Sequence, residues 1–145
     1  SKIVDLDNSA VHIKIKGAKG TGKTKIIIDM ANDNVATAKG DIVFVTDTDR
    51  YMPNLRNQMK KINTKDEEVF SEAELIGFIK GIIACNYDIT TFFIDGAHRI
   101  CGKDVSEMEK FYQWICEKGV KSNIEFFVTA SKDLDEMPDF LKKYI

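Results

Sequence analysis

At 145 residues the chain fits one domain, spanning 1–145, and is large enough to bury a core without disulfides or a structural metal. With 43 % hydrophobic and 30 % charged residues it has the composition of a globular protein, which excludes fibrous and low-complexity classes. A formal net charge of −2 excludes a general attraction to nucleic acid or to an acidic membrane, and no apolar run approaches the roughly 18 residues of a membrane span.

Residues 2–6 read as a short strand, turned back by Asp7-Asn8-Ser9 into a second strand at 11–16. In that second strand Val11, Ile13 and Ile15 alternate with His12, Lys14 and Lys16, which implies one thinly covered face or a face that meets a partner. The strand empties into Gly17-Ala18-Lys19-Gly20-Thr21-Gly22-Lys23-Thr24, a match to the phosphate-loop pattern G-x-x-x-x-G-K-[ST]. A helix follows over 25–38, with Ile26, Ile27, Met30, Ala31 and Val35 on one face and Gly40 as its C-cap. Strand, glycine loop and helix N-terminus in this order suit anion binding, because backbone N–H groups turn inward where the helix dipole is positive.

The run 41–46 is continuously apolar, as in a strand buried on both faces, and ends in Asp47-Thr48-Asp49 at its carboxyl end. Pro53, Leu55, Met59 and Ile62 predict a helix. Another is expected from Ser71, whose spacing to Glu74 forms a capping box, with Leu75, Ile76, Ile79, Ile82 and Ile83 as its apolar positions. Thr90-Thr91-Phe92-Phe93-Ile94 is a β-rich run that stops at Asp95. A helix from Ser106 carries Met108, Phe111, Tyr112, Ile115 and Cys116 and stops at Lys118-Gly119, with Trp114 read as core. Residues 124–129 form the last strand, Ala130-Ser131 its end, and Asp133 caps a short terminal helix reaching Phe140 and Leu141. Cys85, Cys101 and Cys116, odd in number and without C-x-x-C spacing, read as buried thiols of a reducing compartment; no signal-peptide pattern is present, so a cytoplasmic location is expected.

On the phosphate-loop residues and the strand that ends at Asp95, the chain resembles the P-loop NTPases over roughly 11–131, and its size and element order are closest to a minimal RecA-like ATPase core. The resemblance implies a three-layer α/β fold. Its mainly parallel sheet would have four or five strands in the spatial order first, fourth, third, second, counting the strand at 11–16 as the first, with helices on both faces. Segment 2–6 would fill the slot beside the first strand as an antiparallel edge strand. It also implies the ligands ATP and Mg²⁺. The phosphate-binding set would run from Gly17 through Ala18, Lys19, Gly20, Thr21, Gly22, Lys23 and Thr24 to Lys25, and Lys23 would contact the β- and γ-phosphates. Thr24 and Asp95 would serve the metal, and Thr129 or Ser131 would sense the γ-phosphate or the attacking water.

The chain departs from that pattern at Gly96, where many ATPases of this class place a glutamate as general base. Asp95-Gly96-Ala97-His98 is similar to a helicase-type Asp-Glu-Ala-His box with its glutamate removed, but residues 1–145 hold no second helicase domain, so a helicase is not expected from the box alone. His98 is a candidate for orienting water. Turnover is therefore expected to be slow, or to need a group supplied in trans by a second copy or a partner protein. A glutamate introduced at 96 would restore a base only if Gly96 tolerates a side chain, which a positive φ would forbid.

Asp47 and Asp49 carry the rival reading. Asp-Thr-Asp in this place resembles the shikimate-kinase type of small-molecule kinase, in which a carboxylate aligns and deprotonates a hydroxyl acceptor. A third reading is a nucleotide-binding regulatory subunit that hydrolyses nothing. No N-K-x-D motif is present, so ATP and GTP are not distinguished by sequence.

Overall fold

A computed structural model describes residues 2–6, 11–16, 23–131 and 136–142. The turn at 7–9, the glycine-rich stretch 17–22 and Asp133 lie outside these residues. So do the side chains of the first two strands, of Lys23 and of Ser131, and with them the expectation of a thinly covered face at 11–16.

The backbone runs β1 (Lys2–Leu6), β2 (Val11–Lys16), α1 (Lys23–Val35), β3 (Asp41–Thr46), β4 (Lys60–Asn63), α2 (Glu72–Cys85), β5 (Ile89–Ile94), α3 (Ala97–Cys101), α4 (Glu109–Ser122), β6 (Glu125–Ser131) and α5 (Asp139–Lys142). Together the strands form one six-stranded sheet in the order β1-β2-β6-β5-β3-β4. Only β1 is antiparallel to its neighbour. The four parallel strands expected from sequence thus lie in the order first, fourth, third, second, with segment 2–6 on the outer side of the first. An alternating β/α chain reaches such a sheet through crossovers, which carry the helices onto its faces.

Both faces are covered, which explains why the central strands are apolar without alternation. Ile42, Phe44 and Phe93 pack with Ile27, Ile28 and Ala31 of α1. Val43, Val45, Phe92, Ile94, Phe126 and Val128 face the other way, against Leu75, Ile79 and Ile83 of α2 and Phe111, Tyr112 and Ile115 of α4. Cross-strand register stacks the aromatic rings. Phe93 lies between Phe44 and Phe127, with ring centroids 6.3 and 4.8 Å away, and Phe92 stacks on Phe126 at 5.3 Å on the opposite face. Such pairs add about 0.5–1.5 kcal/mol each beyond area burial.

The helix expected from Pro53 to Ile62 does not form. A single 3₁₀ turn covers Met52–Asn54, and the chain then enters β4, an edge strand that pairs in parallel with β3. Leu55 and Met59 do point inward, but into the α1 face, whereas Ile62 packs into the opposite cluster. Residues on two sides of a sheet cannot share one helical stripe, so the apparent helical spacing is a coincidence. Asn32 of α1 secures this loop by accepting from the Arg56 N–H at 2.9 Å and donating to the Asn54 carbonyl at 2.8 Å.

Other boundaries shift for local reasons. α1 ends at Val35, so Gly40 is no cap; its missing Cβ leaves space for the Asp88 carbonyl, which accepts from the Asp41 N–H at 2.7 Å. α4 runs through Gly119 to Ser122 and stops at Asn123, which adopts the left-handed conformation (φ 55°) that asparagine tolerates. Ser71 caps α2 as expected, accepting from the Glu74 N–H at 3.1 Å, but Glu74 reaches back to the N–H of Phe70 rather than to that of Ser71. α4 begins at Glu109, after a separate 3₁₀ turn at Val105–Glu107. Among the described residues no helix is long and apolar enough to cross a membrane.

Glu72 ties the two large helices together. From the first turn of α2 its Oε2 accepts from the Phe111 N–H at 3.1 Å, one of the orphan donors at the start of α4, and its Oε1 accepts from Lys103 at 3.3 Å. Glu72→Ala leaves that buried donor unpaired and is expected to cost about 1–3 kcal/mol in urea unfolding, with Glu72→Gln losing less. An unchanged midpoint in Glu72→Ala would show that the contact contributes nothing.

The three cysteines form no disulfide; Cys101 and Cys116 are buried as expected, but Cys85 is exposed on the last turn of α2. Burial, helped by the nearby Glu72 carboxylate and opposed by Lys103, pushes the Cys101 thiol up to about 12. Burial also raises the Tyr112 phenol, with Cys101 adding to it. A raised folded-state pKa holds its stabilisation below the unfolded value of 9.0 and loses it as pH rises toward about 12. The melting temperature should therefore fall steadily above about pH 9. Iodoacetamide at pH 8 should modify Cys85 and spare Cys101 and Cys116 until denaturant is added; equal labelling of all three counts against this packing.

Candidate functional site

The parallel strands deliver polar residues to one sheet edge, their carboxyl ends, where open α/β sheets bind ligands. β2 ends at Lys16, paired in register with Ser131, and α1 begins at Lys23, so residues 17–22 connect a parallel strand to a helix at this edge. Thr24, in the first turn of α1, is half-buried and Lys25 is exposed. Both line a cleft of about 470 Å³ with Ile28, Asp29, Asn32, Tyr51 and Asn54.

Asp95 follows directly on β5, and its side chain is 1 % exposed. Its N–H donates to the Val45 carbonyl at 2.9 Å, which holds the turn against β3. The Thr129 hydroxyl donates to Asp95 Oδ1 at 3.1 Å and accepts from the Gly96 N–H at 2.7 Å, joining β6 to the end of β5. Arg99 supplies the opposite charge: its Nη2 lies 3.3 Å from Asp95 Oδ2 and 3.3 Å from the Asp95 carbonyl oxygen.

The same guanidinium reaches across to β3. Nη2 lies 3.1 Å from Asp47 Oδ1 and Nε 3.3 Å from Asp47 Oδ2, so Asp47 holds it with both carboxylate oxygens. Burial works against the charged guanidinium, but the hydrogen bond to Asp47 and the charges of Asp95 and Asp47 outweigh it, and the Arg99 pKa is raised. Gly96, at φ +76°, is the N-cap of the short helix α3. A Cβ built there would fall on the movable Arg99 guanidinium, and the left-handed conformation strains any side chain at 96, so a glutamate is disfavoured there by the backbone.

The structure thus gathers Asp47, Asp95, Thr129, Gly96 and Arg99 into one hydrogen-bonded cluster. His98 stands beside it on α3, partly buried. Asp49 belongs elsewhere: it is exposed and accepts from Asn63 Nδ2 at 3.0 Å, which fixes the β3–β4 edge. Arg99 is the member that sequence reasoning missed. Its signal was present as the i,i+4 spacing from Asp95 in a chain with three arginines, Arg50, Arg56 and Arg99.

Among the described residues no group of three or more His, Cys, Asp or Glu side chains converges as a metal cage. Mg²⁺ does not require one, because it commonly takes one or two protein oxygens with phosphate and water completing the octahedron. No family model matches the chain, and no curated protein was found similar to it.

Thr129→Val tests the internal part of the cluster. Both the Gly96 N–H and Asp95 Oδ1 lose a partner in a buried place, so the expected cost is about 1–3 kcal/mol in urea unfolding. Thr129→Ser should restore most of it. A valine variant as stable as wild type would mean that Asp95 is held without the hydroxyl.

Proposed function

We propose that this chain is an ATP-binding P-loop protein of the RecA-like kind with a weak or partner-dependent ATPase activity. The observation that carries the reading is that Gly17 to Thr24 connects the carboxyl end of β2 to the start of the 13-residue helix α1, with Asp95 at the carboxyl end of β5 on the same edge. The strand order β2-β6-β5-β3 supports it, as does helical cover on both faces.

In this reading the backbone of Gly17, Ala18, Lys19, Gly20, Thr21 and Gly22 wraps the phosphates, with Lys25 at the end of the set, and Lys23 neutralises the β- and γ-oxygens. The Thr24 hydroxyl and the Asp95 carboxylate are the residues that would hold Mg²⁺, which would supply positive charge to offset that of the phosphates. Thr129 holds the Asp95 carboxylate from behind, so its part is to position Asp95, while Ser131 at the end of β6 stands nearer the loop. No carboxylate follows Asp95, and Asp47 is engaged by Arg99, so neither position offers an unencumbered base for water. His98 is a candidate for that task, and a second copy or a partner protein would supply a further group in trans.

The same absence favours the reading of a nucleotide-binding regulatory subunit that hydrolyses nothing. Transfer to a hydroxyl acceptor by Asp47 or Asp49 is less well supported, because one is ion-paired and the other faces β4. Single-turnover hydrolysis separates these: slow turnover, turnover only with an acceptor, or none.

Lys23→Ala is expected to weaken ATP binding about 10- to 100-fold by calorimetry, the worth of one or two charge-assisted contacts, with an unchanged melting curve. Unaltered affinity in folded Lys23→Ala defeats the phosphate-loop assignment. Asp95→Asn should weaken binding more with Mg²⁺ than in EDTA, and equal losses would make Asp95 purely structural.

A further inference from the structure

Two features at the site have no role in nucleotide binding as described above: the Arg99 bridge and the shape of Gly96. One nitrogen, Arg99 Nη2, lies within 3.3 Å of carboxylate oxygens from two strand ends, Asp47 and Asp95. The contact is lopsided. Asp47 takes the guanidinium with two oxygens, Asp95 with one, and the arginine side chain is 37 % exposed while Asp95 is 1 % exposed. Gly96 makes the arrangement sterically possible, since a side chain there would occupy the guanidinium's place. The glycine that stands where the resemblance would put a glutamate is therefore what admits an internal cation.

We propose that Arg99 is a resident counter-cation of Asp95, which a divalent metal must displace, and that Asp47 retains the guanidinium when it moves. The proposal rests on the nucleotide reading only in supposing that the metal arrives with a nucleotide. A buried carboxylate needs a positive partner, and the guanidinium and a divalent cation would compete for the same oxygen, Asp95 Oδ2, with like charges repelling at that distance. The guanidinium is part-exposed and can swing away from Asp95 with the Asp47 side chain following it, so exchange requires no rearrangement of the β3 or β5 backbone. The site then holds little affinity for free metal and admits it mainly when triphosphate oxygens add their charge.

The test compares wild type and Arg99→Gln with Mn²⁺ alone, followed by the EPR signal of the free ion, and with ATP in EDTA or in Mg²⁺ by calorimetry. Removing a competing, part-exposed ion pair should tighten Mn²⁺ binding about fivefold, and Mg²⁺-dependent ATP binding by a similar factor, while ATP in EDTA binds both proteins alike. Adding Asp95→Asn to Arg99→Gln should erase the gain. Equal or weaker Mn²⁺ binding by Arg99→Gln overturns the proposal, and so does a gain that survives Asp95→Asn. If Arg99→Gln does not fold, Arg99→Lys takes its place; a lysine cannot span both carboxylates, so it should still bind Mn²⁺ more tightly, and no gain again overturns the idea. Wild-type protein that binds no ATP in either buffer overturns the nucleotide reading instead, since the Mn²⁺ comparison contains no nucleotide.

Discussion

A carboxylate with almost no access to water sits at the centre of this fold. Burying an uncompensated charge costs several kcal/mol, more than a domain of this size can readily give up. The Asp95 carboxylate meets that cost with partners drawn from separate elements, the Thr129 hydroxyl on β6 and Arg99 on α3, while its backbone N–H donates to the Val45 carbonyl of β3 and holds the turn. Those partners are in reach only because β3, β5 and β6 are neighbours in one parallel sheet. The residue thus depends on the strand order, and its hydrogen bonds in turn pin the turn after β5.

The sheet itself is built for rigidity at its middle and closure at its margins. Stacked phenylalanines run across β3, β5 and β6 on one face and across β5 and β6 on the other, so each central strand is locked to its neighbour by ring contact as well as by backbone hydrogen bonds. β1 and β4, short strands of five and four residues, occupy the margins. Short edge strands offer little template for unwanted pairing. Glu72 extends the locking to the helical layer by capping α4 from α2. The polar residues of the carboxyl edge are held on this framework, so small displacements there are resisted by the core beneath.

Chemically, the edge combines features that pull in different directions. A loop of phosphate-binding pattern and a helix N-terminus favour an anion, whereas Asp47 and Asp95 favour a cation. Arg99 reconciles the two carboxylates with each other, and Gly96 gives it the room to do so at the expense of a side chain that could have served as a base. Under the proposed nucleotide reading, slow or partner-dependent turnover would follow from that exchange.

The sequence alone determined the class of fold and the sheet edge at which Asp47 and Asp95 would stand. Unbroken apolar runs at 41–46 and 90–94 implied strands covered on both faces, and the helical spacing of Leu75, Ile79 and Ile83 implied a layer to cover one of them. Asp47 and Asp95 stood legibly at strand ends because a strand's carboxyl terminus is a local property. Residues 53–62 misled, since a periodic pattern counts apolar positions without knowing which face of a sheet each will meet. The five residues of α3, too short for any period to show, passed unseen. What tertiary structure decided was pairing: that Thr129 turns its hydroxyl onto Asp95, that Asp49 goes to Asn63 instead, and that one arginine spans two strand ends. Partners 34 and 52 residues apart in the chain leave no local trace, because only the crossovers of the sheet bring them within a hydrogen bond's length.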